Sequence, residues 1–515
     1  MKKILLALSI TGIISTATFT GCTSLDQYPT SSITDVQYWK TPDQFSAFMI
    51  GLHSKFRELS YNFFLLGEAR SDIYGDTPFG GEATQGMERF PDNSLNADNA
   101  GIGNYANIYI VINQANLMIH KTEDTSVLTE KEKKYYLGQA YGIRAFCYYQ
   151  LVRSWGDVIL HTDFTQDVDI TNIAKAASPA SQIFEQIKSD LTSSLDNFDK
   201  DYSFQHKKAF WSKAASLMLK ADVYLWTARN NNGGAADYKS AKDAILEIQG
   251  NTSLGLEDNY KDVFSYDNKG NKEIIFTFRS MVDEYYLWDD SYSYLLIPQY
   301  SYLQSYYTEE GISFKDNPNE KLFGLMRFQF KKKHYFETFN DKDIRKRATI
   351  KAVFTKAEAN EDTYGGCFGY KYQGTVLAGS SNRKMYDDYP IYRYAETLLF
   401  LAEAKAGLGE DPSNEINLVR ERAFGQEYFA ANKATLAYPN AAGDTDVNEA
   451  ILKERMCEFM IEGKRWYDLR RFGDEYVFKY TTADSKNPKR LLWPIDKTTL
   501  TNNKLLNQTP GYENE

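Results

Sequence analysis

The 515-residue sequence has four cysteines, Cys22, Cys147, Cys367 and Cys457, and no Cys-x-x-Cys pair. That scarcity argues against a disulfide framework and against a thiolate zinc site. Its five histidines, at 53, 120, 161, 206 and 334, show no ligand spacing. There is no phosphate-binding Gly-rich loop with its Lys-Ser/Thr, no His-Glu-x-x-His pair and no Gly-x-Ser-x-Gly elbow. The stretch from Gly101 to Ala106 matches a loose dinucleotide pattern but follows no strand, so it reads as chance. Basic charge is short as well, with 59 Lys and Arg against 69 Asp and Glu, a formal net charge of −10. An acidic chain is a poor binder of nucleic acid through phosphate neutralisation.

What is present begins at the N-terminus. Lys2 and Lys3 precede the apolar run "ILLALSITGIISTATF", which ends in "FTGC". A basic start, a short apolar core and a small residue before Cys22 predict a lipoprotein signal over residues 1–21, with acylation of Cys22 as the anchor. An ordinary secretory signal with a chance cysteine is the alternative. Removing residues 1–21 takes two lysines and shifts the net charge to −12. No other stretch predicts a membrane span, and residues 22–40 are polar and turn-rich, as a tether and cap require.

Residues 41–230 carry helical periodicity. Thr41 and Pro42 open the first helix, and a later face repeats at Tyr136, Ala140, Ile143, Cys147 and Leu151. Gly138, Gly142 and Ala145 keep that helix slim for close contact, and a Ser-Pro pair at 178–179 predicts the start of another. Residues 231–390 are loop-rich, with "NKEIIFTF" as a strand. Residues 391–515 return to helix in "IYRYAETLLFLAEAKAGLG" and "NEAILKERMCEFMIEGKRWYDLRRFG". In the second, Glu454, Glu458 and Glu462 stand four apart. Like charges so placed repel, so they predict a structural ion network neutralised by Arg455, Lys464, Arg465 or Arg470, not an acid–base pair. No catalytic residue, metal site or cofactor is predicted.

Four segments resemble one family in order and combination. "YGIRAFCYYQLVRSWGDVIL", "IYRYAETLLFLAEAKAGLG", "ILKERMCEFMIEGKRWYDLRRFG" and "LLWPIDKTTLTNNKLLNQTPGY" are similar to signature stretches of the SusD/RagB outer-membrane lipoproteins. Ile159, Asp496 and Thr509 depart from the pattern. The resemblance implies a mainly α fold, a tetratricopeptide-like superhelix of helical hairpins with a loop-rich, minor-β remainder packed on it. It also implies a lipid-anchored place on the outer face of the outer membrane. The partner would be a SusC-like TonB-dependent barrel, and the job would be the delivery of oligosaccharides to it. Peptide cargo is the alternative reading, and a glycoside hydrolase a third.

The family draws cargo contacts from central loops and from the loop after the first helix. The central candidate here is "DEYYLWDDSYSYLLIPQYSYLQSYY", residues 283–307, with eight Tyr and one Trp. If extended, Tyr292 and Tyr294 share one side, as do Tyr300 and Tyr302. Such shelves suit the C–H face of a sugar, with tyrosine hydroxyls and Asp289 or Asp290 for its hydroxyl groups. Trp288, flanked by those acids, is expected to be an exposed stacking ring. Tyr286 is a further candidate, and Asp72, Tyr74 and Arg89 are candidates from the earlier loop.

Overall fold

The structure is a computed structural model. It describes residues 38–102, 105–165, 174–251, 253–316, 324–380, 383–440 and 444–513. The predicted signal, Cys22 and most of the tether lie outside these. The long helices are α1 (Pro42–Arg57), α2 (Ala106–Glu123), α3 (Glu130–Trp155), α4 (Ala180–Phe198), α5 (Lys213–Asn230) and α6 (Gly234–Gln249). After the loop-rich middle come α7 (Tyr394–Gly407), α8 (Ser413–Phe424), α9 (Val447–Phe459) and α10 (Arg465–Phe472). Successive helices pack on each other, α2 on α3, α3 on α4, α5 on α6 and α7 on α6 and α8. The result is the helical-hairpin superhelix.

Local chemistry explains the boundaries. At α3 the Thr129 hydroxyl accepts from Glu132 N–H (3.3 Å), and the Glu132 carboxylate accepts from Thr129 N–H (2.8 Å). This reciprocal pair satisfies two otherwise orphaned donors. Helix α4 departs from the predicted Ser-Pro cap. Its first N–H, Ala180, donates to Asp157, 23 residues earlier (2.8 Å).

From Gly138 to Trp155 every residue of α3 except Tyr141 is buried, so this helix is core on all sides and not on one face. Its glycines serve approach: a Cβ on Gly142 would lie 2.0 Å from the Trp211 indole nitrogen, and one on Gly138 2.9 Å from Phe198. Two arginines of α3 find acids inside. Arg144 grips Asp190 (2.6 Å), and Arg153 sits 3.4 Å from Asp222.

The described strands form four two-stranded antiparallel ribbons. β1 (Tyr74–Asp76) pairs β3 (Gln329–Phe330), and β2 (Ile274–Phe278) pairs β8 (Tyr389–Arg393). β4 (Ile350–Phe354) pairs β5 (Tyr364–Gly369), and β6 (Thr375–Val376) pairs β7 (Arg383–Lys384). The segment read as one helix from Ile391 thus starts as strand and turns helical at Tyr394. Likewise the run read as one helix from Asn448 to Gly473 breaks after Phe459. There Ile461 and Gly463 take φ of 69° and 70°, and their N–H groups donate to the buried Glu68 carboxylate (3.0 and 2.9 Å).

The three glutamates do form an ion network, with different partners from those expected. Glu454 binds Arg345 (2.5 Å) and Arg420 (2.9 Å). Glu458 binds Arg345, Arg393 and Arg422, and Glu462 binds Arg393 (2.9 Å) and Lys371 (2.7 Å). The cations come from distant segments because Glu462 lies past the helix break and its neighbours turn elsewhere. Arg455 pairs Glu396 and Asp468, and Arg465 pairs Asp72. Burial alone would raise all three carboxyls, but the surrounding cations outweigh it and hold them below the usual carboxylate range.

Candidate ligand-binding face

The tyrosine-rich stretch is not extended. Trp288, Asp289 and Asp290 form a left-handed turn, with φ of 49°, 52° and 66°. Short helices follow at Ser291–Leu296 and Tyr300–Leu303. Residues two apart on a helix diverge by about 200°, so Tyr292 and Tyr294 part company. Tyr292 goes inward, fully buried against Trp288 and Tyr372, while Tyr294 stays half-buried on the outside.

Trp288 corrects the expectation of an exposed ring. It is 1% exposed, packed on Phe64 (centroids 4.2 Å), Tyr292 and Tyr389. Each left-handed residue costs about 1–2 kcal/mol. Burying an indole of about 200 Å² contributes about 5 kcal/mol at about 25 cal/mol per Å², which offsets the turn. The flanking acids face outward because the turn swings them there.

The earlier-loop candidates divide similarly. Asp72 is buried in an ion pair with Arg465 (2.9 Å), which outweighs the burial that would raise its carboxyl and holds it low. Tyr74 is fully buried and donates to Glu68 (2.7 Å). Burial pushes that carboxyl up to about 7 against the hydrogen bonds it receives. Arg89 is half-buried on a short turn, Met87–Arg89. Tyr286 is half-buried in a side patch, 5.1 Å from Tyr386 and beneath Lys384, which pairs with Asp290 (3.0 Å).

The two loops named by the sequence do meet, through residues that sequence reasoning did not single out. Gln299 N–H donates to Glu82 Oε1 (2.8 Å). Phe79 touches Tyr306, with centroids 5.3 Å apart. Arg327 donates to the Ala83 carbonyl and lies 5.0 Å over the Tyr294 ring. Tyr306 and Phe79 are seated on Gly365 and Gly366 of β5, where a Cβ would come within 2.6 Å of each ring.

The outcome is a surface where the half-buried Tyr294, with Tyr61 close to it, and Tyr306 meet the half-buried Arg327 above a buried Glu82. Two groups there lack partners, Glu82 Oε2 and Arg327 Nε. Burial raises the Glu82 carboxyl to about 7, against the Gln299 N–H and Arg327. Rings for apolar faces beside a carboxyl and a guanidinium can grip a hydroxyl-rich ring compound. Glu82 lay within the candidate loop but looked like any surface glutamate, and no local signal marks Arg327.

The helical-hairpin frame with loops gathered over it defines a class of binding protein, and comparison gives the family. The SusD family model matches residues 242–512, more than half the chain. A second model, described as starch-binding associating with outer membrane, matches residues 25–225. The protein belongs to the SusD family, a family of binding proteins associated with the outer membrane. Among solved structures, B. fragilis NanU is 54% identical, with a TM-score of 0.89 over 94% of this chain and 99% of that one. A SusD superfamily protein from Bacteroides vulgatus is 49% identical, with a TM-score of 0.86 over 92% of this chain and 100% of that one. The SusD-like protein P38 of Formosa agariphila is 26% identical over 541 residues, 97% of each chain.

Proposed function

We propose that this protein captures oligosaccharides at the cell surface on the tyrosine face and delivers them to a SusC-like TonB-dependent transporter. In this reading it performs no chemistry on them. Cys22 carries the lipid that holds it to the outer face of the outer membrane. The carrying observation is the meeting of two separated loops around Tyr294, Arg327 and Glu82, with ring faces at the surface and two unpartnered polar atoms just beneath it. The match of residues 25–225 to a starch-binding model supports glycan cargo, and no observation favours peptide.

The test is titration of purified protein with a panel of oligosaccharides and a panel of peptides. Saturable glycan binding that weakens in Arg327→Ala, with no shortening of the glycan, supports the reading. Peptide binding at the same face, or release of new reducing ends, overturns it. Replacing Cys22 by Ala should move the protein from the detergent phase to the aqueous phase. A tagged wild-type chain extracted in mild detergent should bring down a large outer-membrane β-barrel, and repeated purification without one counts against the partnership.

A further inference from the structure

A hollow of about 210 Å³ opens between α1, the turn His206–Lys208 and β2. We propose that it is a binding site for a small aromatic carboxylate, separate from the tyrosine face.

One wall is a stack of rings. Phe210 lies between His53 (4.3 Å, planes 11° apart) and His206 (4.0 Å, 28° apart). The outer ring is placed by a costly turn, since His206, Lys207 and Lys208 all take positive φ, 50°, 53° and 67°. Side chains with a Cβ are sterically disfavoured there. The turn is held by Lys208 Nζ, which donates to the Asn271 carbonyl (2.6 Å). Strain of this kind persists where surrounding structure over-determines it and gathers at ligand sites. The floor is Phe278, and the rim carries Ile50 and Met281, 50% and 38% exposed. Water thus faces apolar side chains at the mouth of a ring-lined hollow.

The charge inside is unbalanced. Arg57 is neutralised by Glu284 (2.6 Å). Arg279 has no ion-pair partner among the described residues. Its guanidinium reaches only the His206 carbonyl, at 3.5 Å, and its Nε has no acceptor. Asp388, the acid whose ionisation it favours, accepts from Lys269 (2.7 Å) through one oxygen, and no hydrogen bond joins its other oxygen to Arg279. The fully buried Thr277, on the same lining, also has an unpartnered hydroxyl.

A half-buried guanidinium beside an apolar floor and a ring stack calls for an anion on a flat apolar body. A carboxylate supplies the charge-assisted acceptor, and an aromatic ring covers Phe210 and the rim. The volume is below the roughly 300–1,000 Å³ of sites for drug-sized ligands, so the occupant carries a single ring system. A sugar fits poorly, because the lining is mostly apolar and would leave its hydroxyls unpaired. The hollow adjoins the tyrosine face through Arg57, whose guanidinium lies 4.6 Å over the Tyr285 ring. The Tyr285 hydroxyl in turn is 2.7 Å from Ser60 Oγ, next to Tyr61.

The test is calorimetric titration of the chain from residue 22 onward, with Cys22→Ala, using 3-phenylpropionate as the probe. Saturable one-to-one binding is expected. Arg279→Gln and Met281→Glu should each weaken it at least tenfold at unchanged melting temperature, about 1.4 kcal/mol. Both residues are partly exposed, so folding should survive. The neutral analogue 3-phenylpropanol should bind at least tenfold more weakly, and Tyr294→Ala should leave the acid's affinity unchanged. The proposal is overturned by no saturable binding up to about 10 mM, by equal binding of acid and alcohol, or by an unaltered affinity in Arg279→Gln. Loss in Tyr294→Ala would place the acid on the tyrosine face and overturn it too. Failure of the glycan panel would leave this result untouched.

Discussion

Arg393 and Arg327 stand in contrasting polar clusters. At Arg393 each guanidinium nitrogen has an acceptor, from Glu462, Glu273 and Glu458 and from the Glu458 carbonyl, and the group is sealed from water. At Arg327 the guanidinium reaches a carbonyl and a tyrosine ring, while its Nε and Glu82 Oε2 have no partner. The first cluster spends its hydrogen-bonding capacity on the fold. The second keeps capacity in reserve beside half-buried rings. Missing partners alone do not mark a site, because Trp288 Nε1 and the Tyr292 hydroxyl also lack them inside sealed packing. What distinguishes the face is spare capacity next to accessible rings.

The largest expected effect breaks the closed cluster. Arg393→Met leaves Glu273, Glu458 and Glu462 undercompensated in the interior. Removing one partner of a buried ion pair costs about 3–5 kcal/mol. Urea unfolding should show a loss of unfolding free energy of that size, and a loss under about 1 kcal/mol would mean the network contributes little. Acid should act in the same direction. The depressed carboxyls contribute stability fully above the ordinary glutamate value near 4.3, lost as pH falls through their lower folded values.

Trp288→Ala sharpens the contrast within one loop. A buried indole truncated to methyl costs about 3–5 kcal/mol, read as a lower melting temperature. A stacking ring on the surface would instead lose affinity and keep stability, and that outcome would reverse the assignment of Trp288 to the core.

Tyr294→Ala is the complement. Glycan affinity should fall by about 1–3 kcal/mol, the range for a contact ring, at an unchanged melting temperature. Unaltered affinity would remove the 294–306 segment from the site.

The smallest effect concerns Glu82. Its carboxyl is raised to about 7, so the folded state favours the protonated form. Stability therefore falls as pH rises from about 4.3, the unfolded value, through 7. Glu82→Gln should reduce the wild-type loss of urea midpoint between pH 5 and 8 without abolishing it, because Glu68 is raised into the same window. An identical slope in the variant would show that Glu82 titrates normally.

The glutamate triplet and the tyrosine stretch show how far reading the chain can go. Four stretches of local pattern were enough for the helical frame and for the family resemblance, because helical period, caps and small residues act over a few neighbours. The ion network was legible from the spacing of Glu454, Glu458 and Glu462, but its partners were not. Arg345, Arg393, Arg420 and Arg422 reach it from other segments, which no local spacing encodes. The same limit applies to the face. The loop after the first helix and residues 283–307 both read as cargo loops, yet Trp288 and Asp72 go to the core while Tyr294 meets Arg327, which lies in neither stretch, at the surface.

Composition alone argues against nucleic-acid and thiolate-zinc roles for this acidic, cysteine-poor chain, and it shows that the middle is rich in rings. Only tertiary structure decided which rings are walls and which are floor. A left-handed turn of three residues is a local choice made affordable by distant packing, in this case Phe64 and Tyr389 around Trp288. Because that packing energy comes from residues far apart in sequence, the turn, and with it the direction of every tyrosine after it, was fixed only once the chain had closed on itself.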